Sequence, residues 1–424
     1  MLDMQRIREN PEMIAEAAAR KKCIVDIKAV IELDQKRRDI IREVEQLKNL
    51  RNTRSQEISR FKKEKKDAAD LISEMKNVSD SIKGLDEKLI ATDGELNEIL
   101  IRIPNLPHES VPRGESERDN VVISEWGEAP EYDYKLKDHL ELGTSLDIID
   151  FGRGAKISGA GFPVLKGKGA LLERALINLF LDTHTQKNGY KEVFPPFLAN
   201  RASHFGVGQL PKCEDQMYYI GEDELFCIPT AEVPLTNLHR EEVLEADELP
   251  IKYCAYSACF RREAGSYGKD TKGYLRVHQF NKVELVKFTK PHDSLGELES
   301  LRGDAESILK ALGLKYRVLE LCDADLSFAS LKCYDLEVWA PGEDKFLEVS
   351  SCSNFGDFQA RRMNLRYRPA KGERPQFPHT LNGSGLATAR ILVALLETFQ
   401  TERGSVIVPP VLRPYMNGLE EIVP

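Results

Sequence analysis

The sequence FRREAGSYGKDTKGYLRVHQFNKVE, residues 260–284, combines strand-like segments with a high density of charge. Side chains alternate between the two faces of a strand, so Arg261 and Glu263 are predicted to share one face. The same rule places five residues on one face of the next strand: Arg276, His278, Phe280, Lys282 and Glu284. We therefore expect a hairpin with one strongly charged face.

Such a face has two explanations. One is a surface sheet crossed by ion pairs, which stabilise it only weakly. The other is the floor of a site for a highly charged ligand with an apolar ring. Guanidinium groups bind phosphates, carboxylates accept from amines and Phe280 can stack on a base, so ATP is such a ligand. The glycine-containing connector at 264–275 is expected to be mobile enough to close over it.

The composition is that of a globular chain with more than one domain. Its 424 residues are 41% hydrophobic and 30% charged, with a net charge of −9, so contact with nucleic acid requires a local basic patch. The eight cysteines form no C-x-x-C pair, which disfavours a zinc site or a disulfide framework and fits the cytoplasm. The sequence has no signal-peptide core and no apolar run that could span a membrane.

The first hundred residues are predicted to form a coiled-coil arm. Apolar residues recur in steps of four and three from Leu71 to Ile103, interrupted at Thr92, and a similar spacing runs from Leu33 to Phe61. The two segments flank the polar stretch KKEKKDAAD, residues 62–70. We therefore expect an antiparallel helical hairpin.

The positive charge of this arm is concentrated between residues 48 and 66, which contain eight Lys and Arg against two Glu. A solvated helix face would explain such a run. In an acidic protein, a surface that binds backbone phosphates is the favoured explanation. The proposed contacts are Arg51, Arg54, Arg60, Lys62 and Lys63.

The rest of the chain indicates a linker and a mixed domain. Prolines and glycine without periodicity follow the arm, so residues 104–135 are assigned to a linker between residues 1–103 and a domain at 136–424. In that domain a helix stops at Asn188-Gly189, and an extended segment bends at Pro195-Pro196. Short strand-like runs then dominate, which predicts an antiparallel sheet of the α+β class.

Several segments along the chain resemble the bacterial-type seryl-tRNA synthetases, a family of class II aminoacyl-tRNA synthetases. The opening hairpin is similar to motif two of that class, LNGSGLATARILVALLE (381–397) to motif three, and the helix with FPPFLAN to motif one. The resemblance implies a class II catalytic domain behind a tRNA-binding arm. It also implies a serine–tRNA ligase that uses ATP to load L-serine onto tRNA(Ser), and onto tRNA(Sec).

The resemblance implies roles for individual residues. Arg261 and Arg390 are the expected catalytic residues, the first at the α-phosphate and the second at the terminal phosphates beside adenine, with Phe280 stacked opposite. The metal ligands would be Glu348 and Ser351, because carboxylate and hydroxyl oxygens suit Mg²⁺. The expected ATP-binding set is Arg261, Arg262, Glu263, Arg276, Val277, Phe280, Glu348, Val349, Ser350, Ser351 and Arg390.

The serine site implied by the resemblance combines carboxylates for the ammonium group with polar partners for the hydroxyl. Such a pocket rejects alanine, at roughly 1–3 kcal/mol for each buried group left unpaired. Its expected members are Thr230, Ala231, Glu232, Arg261, Glu284, Asn382 and Ser384. The resemblance to motif one also implies that the segment at about 170–199 forms the interface of a homodimer, whereas the sequence alone favours an internal packing helix.

Two alternatives remain at this level. A catalytically inactive synthetase-like binding protein would have lost part of the ATP-binding set, which is present here. A shorter relative that loads an amino acid onto a carrier protein would lack the arm. The chain departs from the usual family residues at Cys213, Arg262 and Ser327, which bears on the shape of the pocket.

Overall fold

A computed structural model describes residues 1–264 and 273–424 of the chain. Most of the connector that was expected to close over the ligand, residues 265–272, lies outside the described residues. The chain divides into two compact units, Met1–Pro104 and Asn105–Pro424.

The first unit is entirely helical apart from its connections. Its helices are α1 (Met4–Glu9), α2 (Pro11–Arg20), α3 (Ile27–Lys63) and α4 (Ala69–Leu100). The Asp26 carboxylate caps α3 by accepting from the backbone nitrogen of Ala29 at 3.0 Å.

The two long helices form the expected antiparallel hairpin. Arg37 of α3 lies 2.6 Å from Asp93 of α4, whereas Arg54 lies 3.4 Å from Glu74, so residue numbers rise along one helix as they fall along the other. Thr92, which interrupts the apolar spacing, is itself buried. The other buried residues of the two helices are Ile27, Val30, Asp34, Ile40, Val44, Val78, Ile82, Leu96 and Leu100.

The second unit mixes helices with short and long strands. Its helices are α5 (His139–Ser145), α6 (Phe151–Ser158), α7 (Lys168–Gln186), α8 (Arg201–Gly206), α9 (Glu232–Thr236), α10 (Ser294–Leu312), α11 (Phe358–Met363) and α12 (Thr388–Thr398). Its strands are β1 (Val121–Trp126), β2 (Ile149–Asp150), β3 (Val164–Leu165), β4 (Lys191–Glu192), β5 (Leu198–Asn200), β6 (Tyr219–Ile220), β7 (Leu225–Cys227), β8 (Val243–Glu245), β9 (Ile251–Phe260), β10 (Gln279–Thr289), β11 (Tyr316–Glu320), β12 (Lys332–Ala340), β13 (Lys345–Asn354), β14 (Arg366–Arg368), β15 (His379–Ala387), β16 (Val406–Ile407) and β17 (Glu421–Ile422). In the described part of the chain, no helix is long and apolar enough to cross a membrane.

Eight strands form the central sheet in the order β1-β11-β12-β13-β15-β10-β9-β4. All neighbouring pairs are antiparallel except β4 with β9, so the α+β class with an antiparallel sheet is confirmed. The linker prediction is wrong for part of its length. Residues 121–126, with their β-branched Val-Val-Ile run, form β1 and pair with β11 at the edge of the sheet.

The two faces of β10 have different surroundings. Val283 and Leu285 point into a core that also contains residues of α7, α10 and α12. The alternate residues Lys282 and Glu284 therefore point to the opposite face. There they line a cavity, so between residues 282 and 285 strand alternation separates side chains of this core from side chains of the site.

Candidate active site

The charged hairpin is shorter than its sequence predicts. β9 ends at Phe260 and β10 begins at Gln279, so Arg261, Glu263 and Arg276 lie beyond the strands rather than on them. Glu263 has a φ of +49°, in the left-handed region that is uncommon for residues other than glycine. Arg276 Nη1 donates to Glu263 Oε2 at 2.7 Å and joins the two strand ends.

Glu284 is the centre of a buried polar network on β10. Thr230 Oγ1 donates to its Oε2 at 2.6 Å, and Asn382 Nδ2 donates to its Oε1 at 3.2 Å. Lys282, two residues earlier on the same face, forms an ion pair with the same carboxylate. Ser384 lies opposite Glu284 on the neighbouring strand β15. Four predicted serine-site residues are thus brought together, three of them within one hydrogen-bonded network.

A second carboxylate, Glu232 at the start of α9, lies in the same cavity. Gln359 Nε2 donates to Glu232 Oε1 at 2.8 Å, and Thr380 Oγ1 donates to Gln359 Oε1 at 2.7 Å. Burial, and to a lesser extent the negative charge of Glu284, raise the pKa of Glu232 to about 7. A cation that enters the cavity would therefore meet a group whose charge changes near neutral pH.

The neighbouring cleft is lined by arginines around an aromatic ring. The Arg261 guanidinium lies 5.1 Å from the centre of the Phe280 ring, which is within range of a cation–π interaction. Arg390 of α12 donates to the backbone oxygens of Leu275, at 3.2 Å, and of Glu348, at 2.8 Å. These contacts fix the Arg390 side chain beside the cleft.

The two cavities, of about 280 Å³ and about 510 Å³, are adjacent and share part of their walls. The residues that line both are Arg261, Glu263, Lys282, Glu348 and Ser384. The first cavity is also lined by the predicted ATP-site residues Arg276, Val277, Phe280, Val349 and Arg390. The second is also lined by Thr230, Glu232, Glu284, Ser351 and Asn382. The residues of the two predicted subsites thus line adjacent cavities with a shared wall.

Three predicted site residues do not line either cavity. The Arg262 guanidinium lies 5.8 Å from the centre of the Tyr218 ring. Ala231 is fully buried, and Ser350 is buried with its hydroxyl bonded to the backbone oxygen of Ser384 at 2.7 Å. The side chains of Ala231 and Ser350 therefore do not face either cavity, and only their backbone or their neighbours can contribute to the site.

Glu348 of β13 lines both cavities, and Ser351 of the same strand lines the larger one. Asp335 of β12 lies directly across from Ser351 in the register and interacts with both residues. Burial, and then the charge of Glu348, hold the pKa of Asp335 well above its usual range. Two carboxylates and a hydroxyl at one place are hard oxygen donors, so these residues fit a magnesium ion.

The sequence analysis placed Lys282 on the charged face without assigning it a role, and it missed Gln359 and Asp335 as members of this site. The sequence already indicated Lys282, because strand alternation places it on the same face as Phe280 and Glu284. Gln359 and Asp335 reach the site through α11 and through the β12–β13 register, and no local pattern indicates either. Two departures from the family pattern, Cys213 and Ser327, prove to line the larger cavity.

His139, Glu343 and Glu397 form a separate cluster that is close enough to hold a metal ion. Its polar atoms already have protein partners. His139 Nδ1 lies 3.0 Å from Glu397 Oε1, while its Nε2 accepts from the backbone nitrogen of Tyr274 at 3.2 Å. Glu397 Oε2 accepts from the backbone nitrogens of Gly342 and Glu343. The cluster is best described as an anchor that ties Tyr274 to α12.

The basic surface lies near the tip of the helical hairpin in the first unit. Arg60, Lys62 and Lys63 are exposed at the end of α3. Arg54 is engaged within the hairpin, because its guanidinium lies 2.7 Å from Glu57 and 3.4 Å from Glu74. Its pKa is raised, first by the hydrogen bond to Glu57. Arg54 is therefore less available to an external phosphate than the three exposed residues.

Family models match residues 1–107, as the seryl-tRNA synthetase N-terminal domain, and residues 212–399, as the tRNA synthetase class II core domain (G, H, P, S and T). Serine–tRNA ligases of Chloroherpeton thalassium and Clostridium tetani are 56% and 51% identical to this chain, over 100% of both chains in each case.

Two solved structures are similar over the whole chain. Seryl-tRNA synthetase from Pyrococcus horikoshii, complexed with ATP, is 36% identical with a TM-score of 0.94 and covers 100% of both chains. Cytoplasmic serine–tRNA ligase from Naegleria fowleri, in complex with AMP, is 32% identical with a TM-score of 0.88 and covers 100% of this chain and 98% of that one. The chain therefore belongs to the seryl-tRNA synthetase family of class II aminoacyl-tRNA synthetases, a family of serine–tRNA ligases.

Proposed function

We propose that this enzyme activates L-serine with ATP to seryl-adenylate and then transfers serine to tRNA(Ser). One observation carries the proposal. A cavity with buried carboxylate, hydroxyl and amide groups around Glu284 shares a wall with an arginine-lined cleft beside Phe280. The first suits a small hydroxylated ammonium compound, and the second suits a nucleoside triphosphate.

In the proposed reaction, a serine carboxylate oxygen attacks the α-phosphorus of ATP. The new bond to phosphorus forms as the bond to the bridging oxygen breaks, and diphosphate leaves with its electron pair. Arg261 lies at the junction of the two cavities, where charge develops on the α-phosphate oxygens. Arg390 is assigned to the terminal phosphates and, with Phe280, to the adenine ring. Positioning and electrostatics account for catalysis, because no covalent nucleophile is required.

Glu284 and Glu232 are proposed to hold the serine ammonium group, and Thr230, Asn382 and Ser384 to complete the polar pocket. Alanine would leave the partners of the hydroxyl unpaired, at roughly 1–3 kcal/mol for each buried group. Threonine must be excluded sterically instead, by the shape of a cavity that Cys213 and Ser327 help to line.

The proposed metal cofactor is Mg²⁺, held by Glu348 and Ser351. When bound, it would neutralise negative charge on the phosphates of ATP. In this chain Glu348 lines both cavities, and Arg390 Nη1 lies 3.6 Å from its carboxylate. Glu348 therefore also helps to orient the arginine that is assigned to the terminal phosphates.

The helical unit is proposed to bind tRNA through the phosphates of a double-stranded segment, which proteins recognise by shape more than by base edges. The exposed cations Arg60, Lys62 and Lys63 are the strongest candidates for contact, and Arg51 is a further one. Such recognition extends the proposal to tRNA(Sec) as a second acceptor. We also propose a homodimer built on the segment at about 170–199, and a place of action in the cytoplasm, where tRNA is used.

The decisive experiment is amino-acid-dependent exchange of diphosphate into ATP, tested with all twenty amino acids. We expect a response to serine that requires Mg²⁺. Equal exchange with alanine would contradict the substrate assignment. No exchange with any amino acid, together with normal folding, would favour the catalytically inactive binding protein. Aminoacylation of tRNA(Ser) and tRNA(Sec) transcripts then tests the acceptors, and sedimentation tests the homodimer.

A further inference from the structure

A buried carboxyl group joins three segments behind the nucleotide cleft. Glu173 of α7 is only 6% exposed. Its Oε1 lies 2.8 Å from Asn281 Nδ2 of β10 and 2.5 Å from Thr388 Oγ1 at the start of α12. Tyr256 of β9 extends the group by donating to Asn281 Oδ1 at 3.0 Å. None of these side chains takes part in the reaction described above.

The hydrogen bonds of this cluster are complete only if Glu173 carries a proton. Thr388 Oγ1 also lies 3.0 Å from the backbone oxygen of Asn281, which can only accept. A hydroxyl has one hydrogen, so Thr388 cannot donate to this oxygen and to an ionised Glu173 at once. If Glu173 is protonated at Oε1, it donates to Thr388, and Thr388 donates to the backbone oxygen. Asn281 Nδ2 still donates to Glu173.

The surroundings favour the same neutral form. Burial raises the pKa of Glu173, and the hydrogen bonds from Thr388 and Asn281 only oppose that effect. Among the described residues, the titratable groups that face Glu173 are the phenols of Tyr256 and Tyr274, and neither supplies a positive charge. Oε2 is buried and has no hydrogen-bond partner within the described ranges, so a proton on that oxygen would lack an acceptor.

We propose that Glu173, held as a neutral carboxylic acid, is a positioning residue for the nucleotide cleft. The inference rests on the proposed ATP site. Asn281 lies between Phe280 and Lys282 in β10, and Thr388 begins α12 two residues before Arg390. By holding Asn281 and Thr388 together, Glu173 sets the separation of Phe280 and Arg390, the two groups that are assigned to opposite sides of adenine.

Two variants distinguish this role from simple packing. Glu173→Met keeps the side-chain size and removes the polar contacts. Glu173→Gln restores them once the Asn281 amide turns over, because the new NH₂ group donates to Thr388 and to Asn281 Oδ1. In serine-dependent exchange we expect the KM for ATP to rise about tenfold in the Met variant and to stay within about twofold in the Gln variant. We expect kcat and the KM for serine to change by less than about twofold in both.

An infrared difference spectrum between the wild type and Glu173→Gln tests the protonation state directly. The carbonyl stretch of a protonated carboxylic acid should be present in the wild type and absent from the variant. If Glu173→Met does not fold, the pair Thr388→Val and Thr388→Ser takes its place. The Val variant removes the shared hydroxyl and should raise the KM for ATP, whereas the Ser variant retains it.

An unchanged KM for ATP in both the Met and the Val variants would overturn the inference. So would equal impairment of the Gln and Met variants, or the absence of the carboxylic-acid band. Direct titration with ATP keeps the inference separate from the proposed function. A wild type that binds ATP but exchanges diphosphate with no amino acid contradicts the proposed function alone, because the variants can still be ranked by their ATP affinity.

Discussion

Serine binding should strengthen as the pH rises from 6 to 8, because Glu232 must ionise to hold the ammonium group. With a pKa of about 7, Glu232 is about one tenth ionised at pH 6 and about nine tenths ionised at pH 8. The sign follows from the charge, since a neutral carboxyl cannot form an ion pair and ionisation increases with pH. If only the ionised form binds, the affinity for serine increases about tenfold over this range.

The measurement is the KM for serine in diphosphate exchange at pH 6, 7 and 8, under saturating ATP and Mg²⁺. Glu232→Gln is the matched control, because it retains an acceptor for Gln359 but cannot ionise, and its KM should be higher and nearly independent of pH. The Cys213 thiol, which lines the same cavity, does not imitate this effect. Burial raises the pKa of Cys213 in the same cavity, which moves its titration further above the range. A pH-independent KM in the wild type, or the same pH dependence in the Gln variant, would refute the reasoning.

Three further results are expected. Arg261→Ala should lower the exchange rate by about a hundredfold or more while changing the free energy of unfolding by less than about 0.5 kcal/mol, because the side chain is exposed; a near-normal rate would show that its role is misplaced. Neutralising Lys62 and Lys63 should make the plot of log tRNA affinity against log salt concentration less steep, by about one to two units of slope, and should leave serine activation unchanged. An unaltered slope would show that these lysines belong to a solvated helix face. Lys282→Met should destabilise the fold by about 3–5 kcal/mol, because it leaves Glu284 buried without a cation. Adding Glu284→Gln to this variant should restore stability but not activity. Chemical denaturation measures the first effect and diphosphate-exchange kinetics the second.

The arm and the sheet class follow from sequence patterns that act locally. The steps of three and four from Leu71 onward need only a partner helix, and that partner is the preceding segment of the chain. Strand alternation likewise predicts that Phe280, Lys282 and Glu284 share a face. It fails at Arg261 and Arg276, because the alternation of side chains does not indicate where the pairing of two strands ends.

The remaining site residues depend on contacts between distant parts of the chain. Gln359 reaches Glu232 across 127 positions, and only the packing of α11 against α8 and β15 brings them together. The strand at 121–126 has a recognisable β-branched run, but its partner β11 lies nearly two hundred residues later. A pattern confined to one segment cannot identify either partner, so the sequence predicted a linker and omitted Gln359.

The Lys282–Glu284 ion pair shows how stability and function are divided within one strand. Both side chains are almost completely buried, at 6% and 0% exposure. The cost of removing two charges from water can exceed their mutual attraction, so the pair is a poor explanation for the stability of the sheet. The alternate residues, Val283 and Leu285, bury apolar surface against the helices and supply that stability instead. Because the two sets of side chains occupy opposite faces, the strand can retain a costly buried charge where a substrate ammonium group is proposed to bind, without weakening the core that holds it in place.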